Sequence, residues 1–322
     1  MRPLNLVALL AMMNLLMLDA GIALGQNYPI KPIRIVTGDA GGGSDFAARL
    51  VAQGLAANLG QQVVVENRGG SVIIPAQIVA QAPPDGYTLL FYTDSIWLLP
   101  FLQDHVPVDP VKDFSPLILV GSSPTMIVVH PSLQAMTVPE LIALAKAKPG
   151  AINYSSGAAG GVNHLAPELF KAMAGVNLTR IPYKGGAAAL NSVIAGEAQL
   201  MFTSVNAGMP HVKSGRLRAL AVTSLQPSAS APGLPTVAAS ALPGFEASLI
   251  FAMLAPAKTP PTLISRLNRE IVRVINGPDI KEKFLVAGVD IVASTPAQLA
   301  AIMKTNMAKW GKVIKDAGIR GD

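Results

Sequence analysis

The chain alternates short, continuous apolar runs with longer stretches in which apolar residues recur every three or four positions. The runs predict strands at 32–37, 62–66, 87–92, 117–121, 125–130, 151–155, 178–182, 199–203, 217–223 and 248–254. The periodic stretches predict helices at 44–59, 74–82, 137–147, 164–174, 185–195, 206–213, 260–275, 279–286 and 296–317. Thr137 with Glu140, and Thr295 with Gln298, have the spacing of capping boxes that open two of them. Strand, crossover helix, strand is the signature of mostly parallel sheets flanked by helices. Runs such as "LILV" and "MIVV" suit strands buried on both faces. The predicted fold class is α/β.

Two stretches look like crossings between lobes. "VGSSPT" (120–125) places a small-residue turn between two apolar runs, and the Pro/Ser/Ala-rich stretch 224–246 precedes the last strand. After that strand the pattern is helical throughout. A chain that leaves a first lobe near 123 and returns near 250 has two lobes, 27–123 plus 251–322 and 124–250. Clefts between such lobes, outside the carboxyl ends of strands, are where α/β proteins bind ligands.

Composition sets the address and narrows the chemistry. Residues 1–26 carry Arg2, an interrupted apolar stretch and Ala23-Leu24-Gly25 before Gln26, the form of a secretory signal peptide cleaved near Gly25/Gln26. No other apolar run reaches the ~18 residues of a membrane span. With no cysteine, an exported chain is held by core packing alone, and about 295 mature residues suffice for that. The net charge of +6 is spread thinly, with 14% charged and only 5% aromatic residues. That argues against nucleic acid and fits a small anionic ligand better.

The candidate chemistry lies in two glycine-rich turns. "TGDAGGGSD" (37–45) joins a strand to a helix, where free N–H groups and the helix dipole favour an anion. It lacks the Lys-Ser/Thr of a Walker A loop and the G-x-G-x-x-G spacing, so a nucleotide is not expected. "YSSGAAGGVNHLAPELF" (154–170) repeats the strand–turn–helix layout. Two such cups, one per lobe, would face each other across a cleft. No G-x-S-x-G elbow occurs, and the four histidines sit in unrelated contexts. His164 and Glu168, four apart, have metal-holding spacing but no third ligand nearby, so packing is the preferred role. Neither a catalytic constellation nor a cofactor is expected.

From about Tyr28 to the C-terminus the chain resembles the periplasmic solute receptors of tripartite tricarboxylate transporters, the Bug proteins. The matching stretches include "YPIKPIRIV", "GGGSDFAARLVAQGL", "VVVENR", "PPDGYTLL", "DPVKDFSPL", "HLAPELF", "IPYKGGAAAL", "PHVKSGRLRALAVTS", "LPTVAASALPGFE" and "MLAPAKTPP", in family order. The resemblance implies a two-lobed Venus flytrap that captures a small organic carboxylate in the periplasm. It would act as a monomer and deliver the solute to a two-subunit inner-membrane permease. It also implies that loop amides grip a ligand carboxylate, here Gly41, Gly42, Gly43 and Ser44 on one side and Ser155, Ser156, Gly157 and Thr203 on the other. Thr93, Asn163, His164, Tyr183 and Ser204 join the expected ligand-binding set.

Departures from the family pattern shape the expected ligand. Gly38 and Asp39 replace a Pro-Phe-like pair, and Val72, Ile73 and Ile74 stand where small or polar residues are common. Asp94 and Trp97 stand where smaller residues are usual, Thr203-Ser204 where an Asp is frequent, and Ile250 where a Trp is common. These changes point to an apolar wall of Ile73, Ile74 and Trp97, and to a carboxylate with apolar or aromatic bulk. Asp39 and Asp94 either face the cleft, repelling a second carboxylate and accepting from an amide, hydroxyl or ammonium group, or point away as turn residues. Arg68 and Lys184 read equally as ion-pair partners or ligand contacts, and Trp310 reads as packing. An exported metal-assisted hydrolase and a sensor for a membrane kinase are the alternatives from other classes.

Overall fold

The computed structural model describes residues 28–157 and 159–320. The signal-peptide expectation therefore lies outside the described residues. The order of elements follows the expected alternation. The first block is β1 (Ile33–Thr37), α1 (Gly43–Leu59), β2 (Val63–Asn67), α2 (Ile73–Ala80), β3 (Thr88–Thr93) and α3 (Ser95–Leu102). A long strand, β4 (Phe114–Val129), leads to α4 (Val138–Ala147), β5 (Asn153–Ser156), α5 (Val162–Ala174), β6 (Thr179–Pro182) and α6 (Gly186–Ile194). Then come β7 (Leu200–Ser204), α7 (Val205–Lys213), β8 (Arg218–Val222), α8 (Val237–Ser240) and β9 (Ser248–Pro256). The chain closes with α9 (Pro261–Ile275), α10 (Pro278–Val286), β10 (Asp290–Ile291) and α11 (Pro296–Asp316).

The strand order is β2-β1-β3-β9-β4-β7-β5-β6, with β8 and β10 also on β4. Pairing is parallel within the strand–helix blocks, where β1 joins β2 and β3, and β5 joins β6 and β7. It is antiparallel wherever β4 or β9 takes part outside those blocks. The sheet is thus mixed, and the expectation of mostly parallel sheets holds inside each block only. Its inner strands are buried on both faces: Ile33 and Ile35 face α1 and α9, while Val36 lies on the side of α2 and α3.

"VGSSPT" is not a turn. Residues 120–125 continue β4, whose first part pairs with β9 and whose last residues pair with β7 and β8. The small residues there answer to crowding instead. A Cβ on Gly121 would lie 2.7 Å from the Asp290 carbonyl oxygen of β10, and the Ser123 hydroxyl donates to the Gly288 carbonyl at 2.8 Å. Beyond them Thr125 and Thr223 share a buried hydroxyl pair at 2.9 Å. The segment "SIWLLPFL", to which the periodicity assigns no element, is helix α3.

The last helix ties the two blocks together. α11 opens with a complete capping box, Thr295 with Gln298, and packs on β4, α3 and α5. Trp310 is buried in that seam, as expected of a packing residue, with the Lys309 ammonium 5.0 Å from the ring centre. Among the described residues no helix is long and apolar enough to cross a membrane.

Candidate functional site

The register of the sheet brings two sets of loops to one place. Thr93, the end of β3, lies opposite Phe251, which also lies opposite Gly121 of β4. Ser204, the end of β7, lies opposite Thr125. Strands β1 and β3 run parallel, as do β5, β6 and β7. The carboxyl ends of both groups therefore converge on residues 121–125 of β4, a stretch of about 13 Å. Contacts between the groups flank this stretch. Gly160 lies against Leu102 of α3, and the Asn206 side chain at the start of α7 donates to the Ala287 carbonyl at 3.2 Å.

Helix starts at this convergence lack side-chain caps. α1, α5 and α6 begin at Gly42, Gly161 and Gly185, and α7 begins at Ser204, all without a capping hydrogen bond. The first N–H groups of a helix have no intrahelical partner, so uncapped starts are anion sites in waiting. Elsewhere caps are made: Thr137, Thr236 and Thr295 accept from the third residue of α4, α8 and α11. α9 and α10 open on proline instead, which removes a donor.

The first loop is braced from below by a carboxylate absent from the expected set. Asp45 is buried; its Oδ2 accepts from the Gly41 amide at 2.9 Å, and its Oδ1 accepts from the Asn67 side chain at 2.9 Å and pairs with Arg49 at 2.9 Å. Burial opposes its ionisation, but the Gly41 amide, Asn67 and Arg49 prevail and hold the carboxyl below its ordinary value. The Gly41 amide is thereby engaged, and the Gly42 amide donates to the Asp39 carbonyl at 3.2 Å. The start of α1, with Gly43 exposed and Ser44 half-buried, is what this loop offers to a ligand, beside the Phe251 ring 3.5 Å from a Cβ on Gly43.

In the second loop the expected serines are internal. Ser155 is fully buried and donates to the Ala189 carbonyl at 2.8 Å, fastening α6 to β5. The Ser156 hydroxyl accepts from Arg180 Nε at 2.7 Å, and Arg180 Nη2 donates to the Gly157 carbonyl at 3.0 Å. Gly157 is where the loops after β5 and β6 meet: a Cβ there would lie 3.1 Å from the Gly186 nitrogen and 3.2 Å from Asn163 Nδ2. Asn163 thus joins the exposed start of α6, and Arg180 adds positive charge behind both. Sequence reading missed Arg180, because a basic residue on a short edge strand carries no local signature.

The other expected residues divide. His164 is buried, and its Nδ1 accepts from the Gly160 amide at 3.3 Å. Burial and the nearby Arg180 push its pKa down to about 4, so the ring is neutral. Glu168 is held by the Tyr154 hydroxyl at 2.6 Å and by Lys171 at 2.9 Å, and no metal-holding cluster of three occurs among the described residues. Tyr183 reaches Glu197 at 3.3 Å, Thr203 is buried against α7, and Ser204 is partly exposed at its start. Thr93 pairs its hydroxyl with Ser95 at 2.8 Å, while Ile73 is partly buried and Ile74 exposed. Arg68 pairs with Glu66 at 2.6 Å.

Trp97 is not a wall of the cleft. It is fully buried, and its Nε1 donates to Asn306 of α11 at 3.1 Å. The helical turn that sequence reading missed is what rotates it inward. Asp94 is buried beside it; burial pushes its pKa up to about 7 against the pull of the Ile250 amide and Lys309. Burial lowers the pKa of Lys309 against the opposing pull of Glu246, its ion-pair partner at 3.7 Å, and of Asp94. Lys309 borders a cavity of about 430 Å³ between α11 and the crossing strands, lined also by Ser122, Ser248, Ile250 and Asn306. Asp39 remains exposed on the first loop.

Comparison with known proteins bears on the whole of this arrangement. Residues 47–319 match the model of the tripartite tricarboxylate transporter family receptor. The protein BugT of Bordetella pertussis is 35% identical over 98% of this chain and 99% of its own. The structure of R. palustris Rpa4515 with adipate is 33% identical, with a TM-score of 0.75 over 91% of this chain and 99% of that one. The structure of the periplasmic binding protein BugD is 31% identical, with a TM-score of 0.72 over 92% of this chain and 100% of that one. The chain belongs to the receptor family of the tripartite tricarboxylate transporters.

Proposed function

We propose that this protein is a periplasmic, non-enzymatic receptor that captures a small organic carboxylate between the two loop groups. The observation that carries this reading is the contrast between uncapped helix starts at the convergence and threonine-capped starts elsewhere. Free helix-start amides, backed in the second loop group by Arg180, favour an anion electrostatically. A relative one-third identical in sequence was solved with adipate, which supports a carboxylate of this size class.

The lobes in this reading are 27–123 plus 251–322 and 124–250, with boundaries inside β4 and β9. A ligand held by both loop groups stabilises the closed arrangement by its differential affinity for it. The closed monomer then presents a new surface to a two-subunit inner-membrane permease. Residues 1–26 direct export and are cleaved near Gly25/Gln26. Ile73 contributes apolar surface to the ligand, and Trp97 does not.

Thermal unfolding against a panel of mono-, di- and tricarboxylates and their neutral amides tests this. An acid at ~100 times its dissociation constant stabilises by about 2.7 kcal/mol, a shift of several degrees. Stabilisation by acids and none by the fully amidated analogues is expected. Equal shifts from neutral analogues, or none from any acid, would refute carboxylate capture.

A further inference from the structure

The geometry points to Asp39 and Tyr92 as a selectivity pair beside the carboxylate grip, favouring a ligand whose second polar group donates a hydrogen bond and disfavouring a second carboxylate there. This inference rests on the carboxylate-receptor reading and names the ligand class within it.

Asp39 has a fixed place and an open oxygen. Its Oδ1 accepts from the Gly70 amide at 3.1 Å, on the side of the loop between β2 and α2. A Cβ on Gly69 would come within 1.7 Å of that oxygen, so the carboxylate sits in a notch that only glycine leaves. The arginines of the adjoining elements are committed elsewhere, Arg68 to Glu66 and Arg49 to Asp45. Asp39 enters none of the ion pairs among the described residues. It is an exposed, unneutralised carboxylate on the loop that opens α1.

Tyr92 supplies the donor. Leu89, Leu90 and Phe91 before it are fully buried, and Tyr92 is the first residue of that run to reach solvent. Its ring edge and hydroxyl lie against Gly38, 3.1 Å from where a Cβ would be. Burial, and then the Asp39 charge, raise its pKa, so the phenol stays protonated and able to donate. No direct hydrogen bond joins the two side chains. A hydroxyl or amide between them would accept from Tyr92 and donate to Asp39, and an ammonium would donate to Asp39 alone. A carboxylate there would face like charge.

The test is calorimetric titration of the full mature chain with adipate, its monoamide, 6-hydroxyhexanoate and 6-aminohexanoate, with their shorter and longer homologues. Wild type should bind the donor-bearing acids roughly tenfold tighter than the dicarboxylate of equal length. Asp39→Asn keeps an oxygen for the Gly70 amide and should abolish that preference with its unfolding midpoint unchanged. Gly69→Ala, which displaces the carboxylate, should do the same. Tyr92→Phe should weaken the hydroxy and amide acids several-fold and leave the amino acid unaffected. Adipate binding as tightly as its monoamide, or an unchanged ratio in Asp39→Asn, would overturn the pair while leaving the receptor reading intact. Binding of none of these acids would overturn the pair, and the receptor reading falls with it only if no acid of the mono-, di- and tricarboxylate panel stabilises the protein either.

Discussion

Replacing Asp45 by asparagine should loosen the first loop and destabilise the protein together. The carboxylate accepts from the Gly41 amide on one oxygen and from Asn67 and Arg49 on the other. An asparagine has one acceptor oxygen, so a donor is left facing its amide on one of those sides. A buried hydrogen bond to a charged group is worth about 1.5–3 kcal/mol. The Arg49 side chain is more than half exposed, so its pairing adds less than about 1 kcal/mol. A loss near 3 kcal/mol follows, about 6 °C in melting temperature for a chain of this size. The pH dependence has a definite sign. The folded pKa is depressed, so the charge-dependent stabilisation is present above the unfolded value near 3.9 and is lost as pH falls through the folded value. Urea unfolding at neutral and acidic pH should show the gap between wild type and Asp45→Asn narrowing on acidification. Carboxylate affinity should fall roughly tenfold as Gly43 and Ser44 lose their fixed position. Equal stability at neutral pH, or a gap that widens in acid, would refute this role.

Three further outcomes are expected. Asp94→Asn should leave stability unchanged near pH 4 and raise it by up to about 4 kcal/mol above pH 7, because the folded pKa of Asp94 is raised and its contribution is lost as pH climbs through about 7; urea midpoints across that range measure it. Trp97→Phe strands the buried Asn306 carbonyl and should cost about 1–3 kcal/mol in the same assay, with the order of preferred ligands unaltered in calorimetry. Gly54→Ala would put a Cβ 2.3 Å from Val274 where α1 crosses α9 and should cost about 1–3 kcal/mol, partly restored when Val274→Ala is added.

Much of the fold was legible in the chain because its strands are uninterrupted apolar runs and its helices keep their period. Where reading failed, local composition imitated another structure. Gly121-Ser122-Ser123-Pro124 has the residues of a turn, yet it is extended, because small side chains were needed under β10. "SIWLLPFL" has no polar face and contains Pro100, so it carries no helical period, and the inward rotation of Trp97 went with it. At the site, the glycines announced the loops but not their hydrogen bonding. Asp45, Asn67 and Arg49 are brought together by β2 lying beside β1, and Tyr92 meets Gly38 only through the β1–β3 pairing. Ser155 and Ser156 showed the right chemistry in the right segment, while their direction, inward to Ala189 and Arg180, depended on strand register.

The most direct measurement is amide NMR of the isotopically labelled protein, titrated with the tightest-binding acid of the panel. Resonances of Gly43 and Ser44 on one side, and of Asn163, Gly186 and Ala187 on the other, should shift together and saturate at one ligand concentration. Shifts confined to one of the two loop groups, or to residues around the cavity beneath α11 such as Ser122 and Asn306, would contradict capture of a carboxylate between them.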